Sequence, residues 1–300
     1  MGEEQRTSLP RQKPPWLLRR LPTGPAYENL RTLLRASRVH TVCQQARCPN
    51  IWECFAQGTA TFLILGSHCT RSCRFCAVGR GPTDPPDPEE PARVAEAAAT
   101  MGLTYVVVTS VTRDDLADGG AAHFARTIRE IRRRLPDAMV EVLVPDFCGN
   151  PDALLVVLEA RPDVLNHNLE TVRRLYPLAR PQADYGRSLA LLGHAKRHSP
   201  VRPTKSGLML GLGETVGEVE EALRDLARVG CTMLTLGQYL QPTPEHLPVG
   251  RFLSPEEFTT WHKKALDAGF SQVASGPLVR SSYHARELYQ DVELRATSAV

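Results

Sequence analysis

Short apolar runs, rich in β-branched residues, alternate along most of this chain with amphipathic stretches of helical length. The runs are TFLIL (61–65), TYVVVTS (104–110), VEVLVP (140–145), DVLNHN (163–168), GLMLGLG (207–213) and TMLTLG (232–237). Continuous apolar strands joined by helices predict a parallel sheet covered on its outer face. Six such strand–helix units predict an α/β fold that curls into an incomplete barrel of the TIM type, a partial (β/α)6 barrel. A further strand-like piece, SQVAS (271–275), precedes the C-terminal tail, and the first 30 or so residues, rich in proline and charge, read as a loosely attached arm.

In barrels of this type chemistry gathers at the carboxyl ends of the strands. Those ends carry, in turn, three cysteines, RDDLADGG, PDFCGN, HNLET, GLGET and GQYLQPT. Loops that only close a fold do not require so much polar and sulfur chemistry at one rim.

Composition narrows the classes. With 300 residues, 42% hydrophobic and 23% charged, the chain can bury a sizeable core. No apolar run approaches the roughly 20 residues of a membrane span, and the acidic N-terminus lacks a hydrophobic signal core, so the expected location is cytoplasmic, with no membrane partner. A net charge of +3 is too small to argue for nucleic acid. RTIREIRRRLP (126–136) concentrates positive charge on one helix, read first as a solvated face and second as a docking patch for an acidic partner protein. Eight cysteines, six of them between Cys43 and Cys76, point in a large chain without a signal peptide to metal rather than disulfides.

Cys69, Cys73 and Cys76 follow the first strand. On a regular helix their spacing would spread them over about 10 Å, whereas a metal centre needs converging sulfurs, so a curled loop is predicted. Structural zinc usually takes two pairs of ligands within reach, and this is a single triplet. A 4Fe-4S cluster held by three thiolates leaves one iron free to take a small chelating cofactor and pass it an electron. Upstream, Cys43, Cys48 and Cys54 form a second set; core packing could explain one such thiol, and poorly explains three beside Pro, Asn and Gln.

The C-x3-C-x2-C spacing behind a partial barrel resembles the radical S-adenosylmethionine (SAM) superfamily. The upstream C-x4-C-x5-C set and the C-terminal RSSYHA resemble the lipoyl synthase family within it. Agreement continues through CPNIWECFAQGTATFLILGSHCTRSCRFC, VTRDDLADGG, VLNHNLETV, TKSGLMLGLGET, GQYLQPTPEHLPV and GPLVRSSYHA, from about residue 40 to 285.

The resemblance implies two 4Fe-4S clusters. One, on Cys69, Cys73 and Cys76, would bind SAM; an auxiliary one, on Cys43, Cys48, Cys54 and Ser282, would be consumed as sulfur donor. Ser281 is the neighbouring possibility for the serine ligand. A hydroxyl is a harder donor than a thiolate, and weak ligation would ease dismantling. Asp118, Gly119 and Gly120 would lie beside the methionine part of SAM, although Asp-Gly-Gly is also a common turn. Asn168 and Glu170 would bond its ribose or ammonium group, or else cap the following helix.

The implied activity is sulfurtransfer: insertion of two sulfur atoms at carbons 6 and 8 of a protein-bound octanoyl-lysine, giving the lipoyl cofactor. Implied partners are octanoylated lipoyl domains of 2-oxoacid dehydrogenases or the glycine-cleavage H protein, and a reductant such as ferredoxin or flavodoxin. Residues 1–57 would be an N-terminal extension carrying the auxiliary cysteines, and 58–300 the barrel with its serine-bearing tail. That tail, folded back, would cap the barrel and exclude water from a radical.

Three other readings remain: a ferredoxin-like carrier, a structural zinc protein, and a sulfur-inserting enzyme that acts on a free small molecule, as biotin synthase does. Gln44 and Trp52 depart from the family pattern, where an acid and a glycine are frequent. Cys148 and Cys231 belong to neither set, and His246 and Tyr283 have no assigned role.

Overall fold

Eight strands share one sheet in the order β1-β2-β5-β6-β7-β8-β9-β10. In the computed structural model, which describes residues 13–18 and 25–289, they are β1 (His40–Thr41), β2 (Thr61–Ile64), β5 (Tyr105–Ser110), β6 (Met139–Leu143), β7 (Val164–Asn166), β8 (Thr204–Leu210), β9 (Met233–Gln238) and β10 (Gln272–Gly276). All neighbours pair in parallel except β1, which lies antiparallel on β2. A separate small ladder joins β3 (His68–Cys69) to β4 (Gly79–Arg80).

Helices α1 (Ala26–Ala36), α2 (Val42–Gln45) and α3 (Ile51–Ala56) lie N-terminal to the parallel strands. Then α4 (Glu90–Thr100), α5 (Ala121–Arg134), α6 (Pro151–Glu159), the short α7 (Tyr176–Ala179) with α8 (Tyr185–His198), α9 (Val216–Arg228) and α10 (Pro255–Asp267) follow successive strands. The predicted six strand–helix units are thus present, in a mixed α/β sheet whose strand order runs linearly from β1 to β10. No helix among the described residues is long and apolar enough to cross a membrane.

Period-two alternation explains the layers. Phe62, Ile64, Val106, Val108, Val140, Val142 and Leu165 pack in one core with Val94, Phe124, Ile128 and Val157 of the helices. Leu208, Leu210, Leu234 and Leu236 do the same with Leu223, Phe258 and Trp261. The intervening positions point to the other face and carry Thr109, Glu141, Asn166, Lys205, Gly207 and Thr235, a polar lining that an all-apolar reading of the strands did not anticipate. Glu141, Asn166 and Lys205 are fully buried there. Lys205 Nζ lies 2.9 Å from Glu141 Oε1, which also accepts from Asn166 Nδ2 at 3.0 Å, while the Tyr105 hydroxyl donates to Oε2 at 2.8 Å. The charges survive burial because each has a partner.

Two boundaries differ from expectation. β8 begins at Thr204, earlier than the GLMLGLG run, and ends at Leu210 because Gly211 and Gly213 take φ of +96° and +105° and turn the chain out of the sheet. The tail continues past β10 into a helical turn over 285–289. Its Ala285 packs with Tyr105 and Val107, its Leu288 with Val164 and Met233, and Tyr289 touches both groups.

Candidate active site

A cavity of about 400 Å³ opens at the carboxyl ends of the parallel strands, lined by Leu143, Asn168, Glu170, Gly207, Thr235, Gly237 and Tyr239. Cys43, Cys48 and Cys54 reach it, as do Cys76, Ser281 and Ser282.

The upstream set is assembled by two short helices and a tight turn. Thr41 caps α2 through its side chain, and Cys43 follows in the first turn. Arg47, at φ +51°, reverses the chain, so that Cys48 N–H donates to Cys43 O at 3.0 Å before α3 carries Cys54. The three thiols sense one another: burial first, then neighbouring Cys48, pushes Cys43 up to about 11, and burial with Cys43 and Cys48 pushes Cys54 up to about 12. Burial also raises Cys48, against the pull of Arg280.

The downstream set sits on a curled loop, as its spacing predicts. Cys69 Sγ accepts backbone N–H groups of Thr112 at 3.3 Å and Arg71 at 3.5 Å. Buried Arg71 anchors the loop by two hydrogen bonds to Asp114 and one of 2.6 Å to Asp146. Burial raises Cys73, and raises Cys76 to about 12, with the other loop thiols adding to both.

The entry to this loop is clamped. Leu65, directly after β2, adopts φ +68°. Its N–H donates to Glu90 at 2.7 Å and its carbonyl accepts from Arg113 at 3.3 Å. Glu90 is held in turn by His123 at 2.8 Å, and Arg113 by Asp115. Gly120 lies against the Leu65 side chain, where a Cβ would overlap it.

Asn168 and Glu170 stand together in the cavity wall, with Asn168 Nδ2 donating to Glu170 Oε1 at 3.0 Å and to Ser281 Oγ at 2.6 Å. Asn168 Oδ1, buried, has no partner among the described residues. Glu170 takes φ +67° and bonds β8 through its backbone, and burial raises its carboxyl despite nearby Arg180. Ser281 is thus engaged by Asn168, whereas Ser282 makes no side-chain hydrogen bond among the described residues.

Asp118, Gly119 and Gly120 stand apart from the large cavity. Asp118 accepts from Gly120 N and Ala122 N at the start of α5, Gly119 borders a second cavity with Phe147 and Cys148, and Gly120 underlies Leu65. Cys231 is buried and Cys148 exposed. Three of the arginines of α5 are engaged: Arg132 with Asp163, Arg133 with Glu130 and Arg134 with Glu96. Gln44 accepts from the Thr41 hydroxyl, and Trp52 stacks on Tyr27 of α1 with ring centroids 4.1 Å apart.

Sequence reasoning missed two cations beside the cavity, one of them buried. Arg180 donates to the Asn168 and Leu169 carbonyls and lies near Glu170 and Cys73. Arg280 lies near Cys48 and Glu170, whose charges oppose the loss of its own charge to desolvation. Arg280 opens the quoted RSSYHA motif; Arg180 stands in no pattern that could have marked it. Two tethers were equally invisible: Asn50 donates to Leu278 O at 2.7 Å and the Tyr283 hydroxyl to Glu53 at 2.8 Å, tying the tail to the start and first turn of α3.

Among the described residues no group of three His, Cys, Asp or Glu side chains is arranged to hold a metal ion. The donor chemistry nonetheless suits iron and sulfide, with soft thiols in two sets, and the unpartnered Asn168 oxygen offers an acceptor to a polar cofactor in the cavity.

Comparison with known proteins gives the class first. A profile of the radical SAM superfamily matches residues 63–226, more than half of the chain. In fold it is similar to methylornithine synthase (PylB), with a TM-score of 0.56 at 16% identity over 82% of this chain and 74% of that one. HydG, a maturase of the [FeFe]-hydrogenase, gives 0.54 at 14% identity over 88% and 68%. A second profile, the N-terminal domain of lipoyl synthase, matches residues 2–48. Lipoyl synthases of Desulfotalea psychrophila and Nitrosococcus oceani are 57% and 58% identical, covering 94% and 93% of this chain and 94% and 86% of their own lengths. The chain belongs to the lipoyl synthase family.

Proposed function

We propose that this protein makes lipoyl groups on protein-bound octanoyl-lysine, the two sulfur atoms entering at carbons 6 and 8. The observation that carries the site assignment is the single cavity reached by Cys43, Cys48 and Cys54, by Cys76, and by the C-terminal serines. An acyl carbon held between a hydrogen-abstracting group and a sulfur source reacts before it escapes only if both lie at near-attack distance, and one shared cavity meets that demand.

Cys69, Cys73 and Cys76 would hold the SAM-binding 4Fe-4S cluster, and Cys43, Cys48, Cys54 and Ser282 the auxiliary one. When bound, the first supplies reductive cleavage of SAM to a hydrogen-abstracting radical and the second supplies sulfide. Three thiolates on one cubane bind three different irons, so their sulfurs stand farther apart than around a single ion. Ser282 is favoured over Ser281 because Asn168 already engages Ser281. Asn168 and Glu170 would receive polar groups of SAM, with Arg180 and Arg280 offsetting the Glu170 carboxylate. The placement of Asp118, Gly119 and Gly120 favours a different task for that motif: shaping the cysteine loop through Leu65.

An incomplete (β/α)6 barrel is supported by the tail. Strands lie about 4.8 Å apart, so β5 and β9 of a flat sheet would be separated by roughly 19 Å. The tail reaches both within two residues: Tyr289 packs with Tyr105 of β5, and Leu288 clusters with Val164 of β7 and Met233 of β9, which a curled sheet allows. We assign 1–57 as the extension and 58–300 as the barrel with its tail. The protein would work in the cytoplasm, where thiols stay reduced, on lipoyl domains or H protein, with a ferredoxin or flavodoxin as reductant.

The test is anaerobic iron and sulfide analysis followed by turnover on an octanoylated lipoyl domain. Cys48→Ala and Ser282→Ala should retain SAM cleavage and lose lipoyl product; Cys73→Ala should lose both. Full product from Cys48→Ala would remove the auxiliary assignment, and deoxyadenosine formation by Cys73→Ala would remove the other.

A further inference from the structure

Between β9 and α10 the chain forms a strap, residues 241–249, that runs across the downstream cysteine loop. Leu247 N–H donates to Arg74 O at 2.9 Å, and the Tyr239 hydroxyl donates to Leu247 O at 2.7 Å. Phe75, between the second and third loop cysteines, packs against buried Tyr239 and Leu247. Within this strap a single side chain reaches the backbone of a cysteine. His246 Nε2 lies 2.9 Å from the carbonyl of Cys76. A carbonyl can only accept, so Nε2 carries a proton. The other ring nitrogen is 2.8 Å from Thr243 Oγ1, whose hydroxyl also contacts Glu245. Gln241 Nε2 donates to His246 O at 2.8 Å, which holds the residue from its backbone side as well.

Cys76 is the loop cysteine that lines the cavity, and Gln241 and Pro242 of the strap line it too. The geometry points to His246 as a positioning residue: by fixing the Cys76 peptide it aims that thiolate, and whatever the thiolate holds, at the cavity where SAM reacts. This rests on the assignment of Cys69, Cys73 and Cys76 to a SAM-binding cluster. The backbone bond at Leu247 and the packing of Phe75 already hold the strap down. The histidine is therefore dispensable for attachment, and its contribution is orientation of the third ligand. A hydrogen bond to the backbone of a ligating residue sets the ligand's geometry and the electronics of the group it holds.

The experiment uses full-length protein reconstituted anaerobically with iron and sulfide. Three quantities are read: bound iron, the change in the electron paramagnetic resonance spectrum of the reduced protein on adding SAM, and the SAM concentration dependence of deoxyadenosine release. His246→Ala should bind as much iron as the parent, show an altered SAM-induced spectrum and need about tenfold more SAM, the scale of one lost hydrogen bond. His246→Gln, which keeps an N–H at similar reach, should recover most of the loss. Thr243→Val should move both readouts in the same direction by less, and it serves if His246→Ala does not fold. Parental spectra and SAM dependence in His246→Ala, or in Thr243→Val where that stands in, overturn the proposal, as does His246→Gln behaving like His246→Ala. A parent whose spectrum ignores SAM sinks the functional reading and this proposal together; a responsive parent with unaffected variants sinks this proposal alone.

Discussion

At the scale of single residues, burial can outweigh a nearby opposite charge in deciding protonation, as at His167 beside Asp146. His167, adjacent to Asn168, has Nδ1 2.8 Å from the Val144 carbonyl and Nε2 3.0 Å from the Ser188 hydroxyl. Burial, with Arg180 nearby, pushes its pKa down to about 4, so the folded protein keeps it neutral. An unfolded histidine titrates near 6.5 and takes up a proton that the folded one refuses. Stability is therefore full above about pH 6.5 and declines as the pH falls toward about 4; at pH 5 the loss is about 2 kcal/mol. Urea unfolding at pH 7 and pH 5 should show it, and His167→Asn should lose correspondingly less between the two. Equal losses in parent and variant would refute the assignment. Ser281→Ala should keep lipoyl product that Ser282→Ala loses, measured on an octanoylated lipoyl domain, because it removes an oxygen already bonded to Asn168.

At the scale of elements, the strand-to-loop junction shows what glycine contributes. Gly102 and Gly120 both adopt left-handed backbone, at φ +64° and +89°. Nothing lies within 4 Å of a Cβ built at Gly102, whereas one at Gly120 overlaps Leu65. Gly102→Ala should cost only the conformational penalty of about 1 kcal/mol. Gly120→Ala adds overpacking of a further 1–3 kcal/mol or so. It should also lower iron binding, since Leu65 launches the cysteine loop; equal melting temperatures for the two variants would contradict this. The six strand–helix units were legible because apolar runs and helical spacers are local signals. The cysteine sets were legible because their spacing is local too. The Leu65 clamp was not, because Glu90, Arg113 and Gly120 meet that residue only through the folded chain, and Asp-Gly-Gly reads equally well as a turn or as a cofactor contact. Lys205 and Glu141 were hidden for the same reason: their pairing needs parallel strands in register.

At the scale of the molecule, the tail joins one face of the sheet to the cavity. Gly237 lets Val279 approach β9 where a Cβ would overlap its carbonyl, and Gln238 N–H donates to Pro277 O at 3.4 Å. Beyond Ser281 and Ser282, Ala285 and Leu288 are buried, Ala285 with Tyr105 and Val107 of β5 and Leu288 with Val164 of β7 and Met233 of β9. The serines are thus suspended between two anchors, with Tyr283 braced on Glu53 beside Cys54. Leu288→Ala removes one anchor without touching the cavity. It should cost about 2–5 kcal/mol of stability, the usual range for a buried leucine truncated to alanine. It should also lower lipoyl formation more than SAM cleavage, because the loosened segment carries the serine and not the downstream cysteines. Leu288→Met, of similar volume, should restore both. Measured on an octanoylated lipoyl domain, an equal fall in deoxyadenosine and lipoyl product would mean that the tail supports the whole sheet rather than the serine. A destabilised variant with parental product yield would mean that the serine holds its place without the anchor.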